Sequence, residues 1–250
     1  MISTDFSLPS FIERAKTVTL SMAVYEDGPN PVAPVSGTFT LYDQSKVVVV
    51  TGAVTVTSSI ATFTVTAAVI PSATLLSAEW QEEWVLTLAD GRVETIRRDA
   101  YLCLRGLYNP VNEAMLLRRV SDLANLKHSS LTSFQGYIDE AWSTVQGMLL
   151  QDGKRPYLIM NSWALKELTL CYSLQYIFQD IETYMSGEGR YSKRAKEYSE
   201  AASAAYATLK LEYDFSETNQ RASADDSTAA ISVLYLNTPP RGYRGGGNIY

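Results

Sequence analysis

Residues 84–96 read WVLTLADGRVETI. Two runs rich in β-branched and aliphatic residues flank Asp90-Gly91, and glycine after aspartate suits a tight reversal because it takes positive φ at no steric cost. The stretch predicts a hairpin with a two-residue turn. Upstream, residues 18–24 place Val18, Leu20, Met22 and Val24 in alternation with small polar residues. That is the two-residue period of a half-buried strand. Residues 26–37, EDGPNPVAPVSG, are full of breakers and read as a connection. Thr38–Leu41, Val47–Val50, Val54–Thr57 and Ala61–Thr66 then repeat the valine and threonine usage that strands favour. Tyr101–Leu104 supplies a last segment.

Short strands separated by Gly, Pro and Asn turns, with no helical period among them, predict an antiparallel β-sandwich (Ig-like) over residues 1–106. The Cys–Trp–Cys core signature of antibody domains is absent, so only the architecture is implied. Trp80 and Trp84, four apart in SAEWQEEW, read as core aromatics. The alternative is an exposed pair that stacks on a sugar.

After Asn109-Pro110 the period changes to that of helices. Asn112 reads as the cap of a helix reaching about Asn125, with Met115, Leu116, Val120 and Leu123 on one face. Phe134, Tyr137, Ile138, Ala141, Trp142, Val145 and Leu149 follow helical spacing closely. Gly153 and Pro156 divide that helix from a third, about Tyr157 to Tyr184, which is apolar on several faces and needs neighbours all round. A fourth, about Ser192 to Tyr213, is alanine-rich. The fold class is therefore α+β: the sandwich, a helical domain over 107–213, and an extended C-terminal arm over 214–250. Within the arm, ISVLYLN at 231–237 reads as a strand in search of a partner, because a solvated tail gains nothing from its aliphatic side chains.

The chain has 250 residues, 46% of them hydrophobic and 19% charged, as an ordinary folded protein does. No run approaches a membrane span, and MISTDFSLPSFIER has neither the basic start nor the apolar stretch of a signal peptide, so a cytoplasmic product is expected. The net charge is −6. Residues 1–106 hold 7 basic and 11 acidic side chains, and residues 107–250 hold 14 and 16, so neither half has the charge of a nucleic-acid-binding module. The lone histidine, His128, lies in ANLKHSSL and reads as a solvated turn residue beside Ser129 and Ser130. Cys103 and Cys171 sit in apolar runs and read as packed thiols. The pairs Glu82–Glu83, Asp139–Glu140 and Asp225–Asp226 read as solvated charges. RGGGN at 244–248 has no strand before it or helix after it to make a phosphate loop. No catalytic residue, metal site or cofactor is expected.

Three segments carry a resemblance: PVNEAMLLRRVSDLANL (110–126), YIDEAWSTVQGMLLQDGKRPYLIMNSWALKELTLCYSLQYIF (137–178) and RAKEYSEAASAAYATLKLEYD (194–214). In order and pattern they resemble the head–tail adaptor (connector) proteins of tailed bacteriophages. The resemblance covers about 107–250. VSGTFTLYD (35–43) and ATFTV (61–65) are similar to phrases in immunoglobulin-like modules of phage structural proteins. The resemblance implies a virion structural protein without enzymatic activity, made in the host cytoplasm. It would form a homo-oligomeric ring, a dodecamer, beneath the portal protein. Its rim would receive a tail or stopper protein, and DNA would pass through without specific binding. The arm would grip a partner through Ile231, Val233, Leu234, Tyr235 and Leu236, with Tyr243, Arg244 and Tyr250 as anchors near its tip. The alternative is decoration of a virion, or carbohydrate or receptor binding, through the sandwich.

Overall fold

The computed structural model describes residues 2–4, 8–26, 31–128, 131–185, 189–214 and 222–223. The hairpin forms as β9 (Ser77–Leu88) and β10 (Val93–Cys103), paired from Val93↔Thr87 to Leu102↔Ser77. Its turn is longer than two residues. Leu88 N donates to Arg92 O at 2.8 Å and Gly91 N to Leu88 O at 3.0 Å, with Gly91 at φ +84°. The chain thus reverses through three residues and a left-handed glycine. Asp90 Oδ1 accepts from Arg92 N at 3.0 Å, and that bond holds its carboxyl below the usual range.

Around this hairpin lie β1 (Ile2–Thr4), β2 (Ser10–Glu13), β3 (Val18–Glu26), β4 (Pro31–Val32), β5 (Pro34–Tyr42), β6 (Val48–Ala53), β7 (Thr55–Thr57) and β8 (Ile60–Val65). One sheet runs β1-β3-β8-β7 with β4 also on β3, and the other runs β2-β10-β9-β5-β6. These are the two sheets of an immunoglobulin-like sandwich, with the central hairpin strands in one and β3-β8-β7 in the other. Several details differ from the reading of the sequence. Residues 31–37 belong largely to strands rather than to a connection, and Tyr101–Leu104 continues β10 instead of forming a separate strand. The sandwich is not wholly antiparallel, because β2 joins β10 in parallel, Ser10 opposite Ala100 and Glu13 opposite Cys103. A parallel partner ninety residues away leaves no local signature.

Inward side chains of both sheets close over Ile12, Leu20, Met22, Val24, Phe39 and Leu86. Phe39 stacks on Phe63 at 4.5 Å and meets Trp84 edge-on at 4.7 Å. Trp80 and Trp84 are both buried in this core. Burying rings of that size is the largest apolar contribution that single side chains make here.

The helices are α1 (Glu113–Arg119), α2 (Gln135–Gln151), α3 (Lys166–Met185) and α4 (Arg190–Ala207). Together with the sandwich they make the α+β fold. Asn112 caps α1 as its sequence suggests, its Oδ1 accepting from Met115 N at 3.2 Å. That helix stops early, because Val120 adopts an extended backbone that turns it and Leu123 into one core. A separate 3₁₀ turn follows at Leu123–Leu126. The third helix begins at Lys166 rather than Tyr157. Pro156–Leu158 is a 3₁₀ turn, Ile159 bridges Tyr213, and Asn161 caps a second short turn at Ser162–Leu165. The backbone of 158–160 is diverted from helix by its bonds to the chain after α4: Met160 N to Glu212 O and Asp214 N to Leu158 O, both 3.0 Å. The fourth helix likewise ends at Ala207, and β11 (Glu212–Tyr213) pairs with β12 (Ala222–Ser223).

α3 is buried nearly all round, and the chain itself provides its neighbours α1, α2 and α4. Glu182, near its end, accepts from Gly189 N, Tyr191 N and Ser192 N at 2.9–3.0 Å, and so caps the start of α4 across the turn. The sandwich touches the helices. Phe11, Tyr101 and Tyr157 form an edge-to-face chain with centroids 5.6 and 5.8 Å apart. Among the described residues, no helix is long and apolar enough to cross a membrane.

Candidate partner-binding surface

Where sandwich and helices meet, a cleft of about 560 Å³ opens, lined by Glu13, Lys16, Arg105, Tyr108, residues 159–162 and Glu212. Four separate pieces of chain build it. The end of β2 is tied to the end of β10 by Arg14 N donating to Cys103 O at 2.8 Å and Cys103 Sγ to Ile12 O at 3.4 Å. Glu13 Oε1 then accepts from Gly106 N at 2.9 Å, fixing the start of the linker that carries Tyr108. Tyr108 N donates to Ser162 Oγ at 3.1 Å and pins that linker to the far wall. The remaining wall is the bridge between Ile159 and Tyr213, beside Glu212.

One large aromatic side chain of this lining stands open: Tyr108 is 56% exposed. Outside the lining, one residue beyond Ser162, Trp163 is 50% exposed with Lys166 Nζ 4.6 Å from its ring centroid. Exposed aromatic side chains with a polar edge are the usual anchors of protein contacts. The surface mixes both charge signs with backbone edges and aromatic faces, an arrangement suited to a polypeptide segment. Reading the sequence places Trp163 on a long helix and assigns Tyr108 no role. The asparagine cap two residues before Trp163 is the one local sign that this tryptophan sits on a turn.

The residues expected to grip a partner, Ile231, Val233, Leu234, Tyr235, Leu236, Tyr243, Arg244 and Tyr250, lie outside the described residues, as do Asp225 and Asp226. His128 is exposed on the connection before α2 and is not part of the cleft. Trp80 and Trp84, being buried, form no platform for a sugar. Glu82 is not solvated as its sequence context suggests, but fully buried on β9. Its Oε1 accepts from Ser10 Oγ, and its Oε2 from Trp84 Nε1 at 3.0 Å and from Arg98 Nη2 at 2.6 Å. Glu83, on the outer face, pairs with Arg97 at 2.7 Å.

Both cysteines are free and buried. Burial pushes the Cys103 thiol from 9.0 up to about 12, and burial with the Glu167 carboxylate nearby pushes Cys171 up to about 11. Since the folded values lie above the unfolded ones, this contribution to stability is whole below about pH 9 and is lost as pH rises through the folded values. A disulfide-exchange reagent at pH 8 is expected to label neither thiol in the native chain and both in denaturant. Labelling of either one without denaturant would contradict their packing.

No family model matches the chain, and no curated protein matches it. Among solved structures it is similar to CopC from Methylosinus trichosporium OB3b, at 13% identity and a TM-score of 0.28, over 40% of this chain and 88% of that one. A likeness of that degree bears on neither ligand nor partner.

Proposed function

We propose that this chain is a non-catalytic virion assembly protein, a head-to-tail adaptor whose copies form a ring between the portal and a tail or stopper protein. The observation that carries the reading is the order of the helical half: a short α1, then α2, a Gly153–Pro156 turn, the long α3 and the alanine-rich α4. That is the order of the three segments that resemble connector proteins. The cleft with the exposed Tyr108 supports it by offering a surface for another polypeptide. A closed ring needs two different faces on each subunit. The exposed side of α4 and this cleft are the two we assign. A net charge of −6 suits a channel that lets DNA slide through without holding it. Virion localisation and the twelve-fold ring belong to the same proposal.

Removing residues 229–250 tests the reading in a head–tail joining assay with purified particles. Loss of a tethered contact predicts about 100-fold fewer joined particles, or fewer still. Normal joining would overturn the arm's role. A single copy of the chain per particle, measured by mass, would overturn the ring.

A further inference from the structure

We propose that the outer edge of β6 is a docking strand for the same strand of a second copy, the two pairing antiparallel about a two-fold axis at Thr51 so that their sandwiches share one sheet. The inference goes beyond the adaptor reading, whose two faces lie elsewhere, because a two-fold pair does not by itself close a ring.

β6 ends its sheet, with β5 on one side and, among the described residues, no strand on the other. Val54 N donates to Gly37 O at 3.1 Å. Alternation along an antiparallel strand then turns Gly52 and Val50 toward β5, and turns the N–H and C=O of Thr51 and Ala53 outward. An outward row of that kind is matched by another extended chain. The entry to the strand is already fixed, since Asp43 Oδ1 accepts from Ser45 N at 2.8 Å and from Val47 N at 2.9 Å. The usual defences of an edge are missing. β6 has six residues with neither proline nor charge, whereas β2 has four and ends on Glu13, and β1 and β7 have three each. Val47 and Val48 at its start are 59% and 51% exposed.

Two observations choose a second copy as the occupant. No charged residue and no histidine lies between Lys46 and Glu79, in a chain with 21 basic and 27 acidic side chains. Two copies, each at −6, repel least where both are neutral. The strand also complements itself. With Thr51 opposite its own counterpart, Val50 of one copy faces Gly52 of the other. Val49 is skipped where Leu41 pairs with Val50 and Tyr42 with Val48, and that bulge brings Val48 opposite Ala53. Each valine meets a small residue, and threonine meets threonine. The two Lys46 side chains fall at opposite ends of the junction, so no like charges are set face to face.

The test is sedimentation equilibrium of the full chain over about a thousandfold range of concentration. Edge pairing predicts a dimer whose affinity falls at least about tenfold in Thr51→Lys, which places two ammonium groups opposite each other at an exposed position. Thr51→Cys under copper-catalysed air oxidation is expected to link two copies, because opposed residues in a sheet stand within reach of a disulfide. Val93→Cys, 60% exposed at the start of β10, is expected to stay unlinked. A monomer at every concentration would overturn the proposal. So would a Thr51→Lys chain that associates as the parent does, or a Thr51→Cys chain linked no faster than Val93→Cys. None of these results touches the adaptor reading, which the joining assay scores on particles.

Discussion

Replacing Glu82 by alanine is expected to cost about 3–5 kcal/mol, the range for stranding one member of a buried ion pair. The carboxylate is wholly enclosed, and the Arg98 side chain opposite it is only 10% exposed. Three strands converge on this carboxylate: Ser10 from β2, Trp84 from β9 itself, and Arg98 from β10. Arg98 Nη2 also reaches Ser21 O on β3, in the opposite sheet, at 3.4 Å. Without Glu82 the guanidinium loses its carboxylate partner and the buried indole N–H loses its acceptor, and a desolvation penalty is felt at both. The double variant Glu82→Met, Arg98→Met removes the charge together with its partner and is expected to lose far less. Urea denaturation followed through the buried tryptophans measures both. A loss under about 1 kcal/mol for Glu82→Ala would show the pair to be no more than a surface contact.

That pair also shows how much of the fold could be read from the residues. The alternation that points Trp80 and Trp84 inward puts Glu82 inward as well, since 80, 82, 84, 86 and 88 share one face of β9. A carboxylate on that face reads as solvated unless a partner is in view, and the arginine that makes its burial tolerable stands sixteen residues on. The hairpin, the β3 strand and α2 were legible because their signals are local. The parallel β2, the early stop of α1 and the diverted start of α3 were not. Each is decided by a distant partner: Ala100 for Ser10, the cluster with Phe134 and Leu174 for Val120, and Tyr213 for Ile159. The cleft was hidden for the same reason, because it draws on four pieces of chain with no common spacing.

The helical half has its own weak point in Phe178, and substituting it asks whether the two halves stand separately. Phe178 is fully buried on α3 and stacks on Tyr191 at 6.3 Å and Tyr198 at 5.7 Å, both from α4, with the Arg194 guanidinium 5.3 Å away. Phe178→Ala is expected to cost about 3–5 kcal/mol through the cavity it leaves. It also gives up ring–ring stacking worth about 0.5–1.5 kcal/mol per pair. The loss falls on the α3–α4 contact, whereas Glu82→Ala falls on the sandwich. Each half has its own hydrophobic clusters, and Phe11, Tyr101 and Tyr157 are among the residues where the halves meet. Separate cores in one chain can unfold separately. Helical signal in the far ultraviolet is therefore expected to melt earlier in Phe178→Ala, while emission from Trp80 and Trp84, read in a background with Trp142 and Trp163 replaced by phenylalanine, keeps its midpoint. Glu82→Ala should reverse the pattern. Coincident shifts of both signals in both variants would mean a single cooperative unit, and the sandwich would then be part of the bundle's stability rather than a module carried beside it.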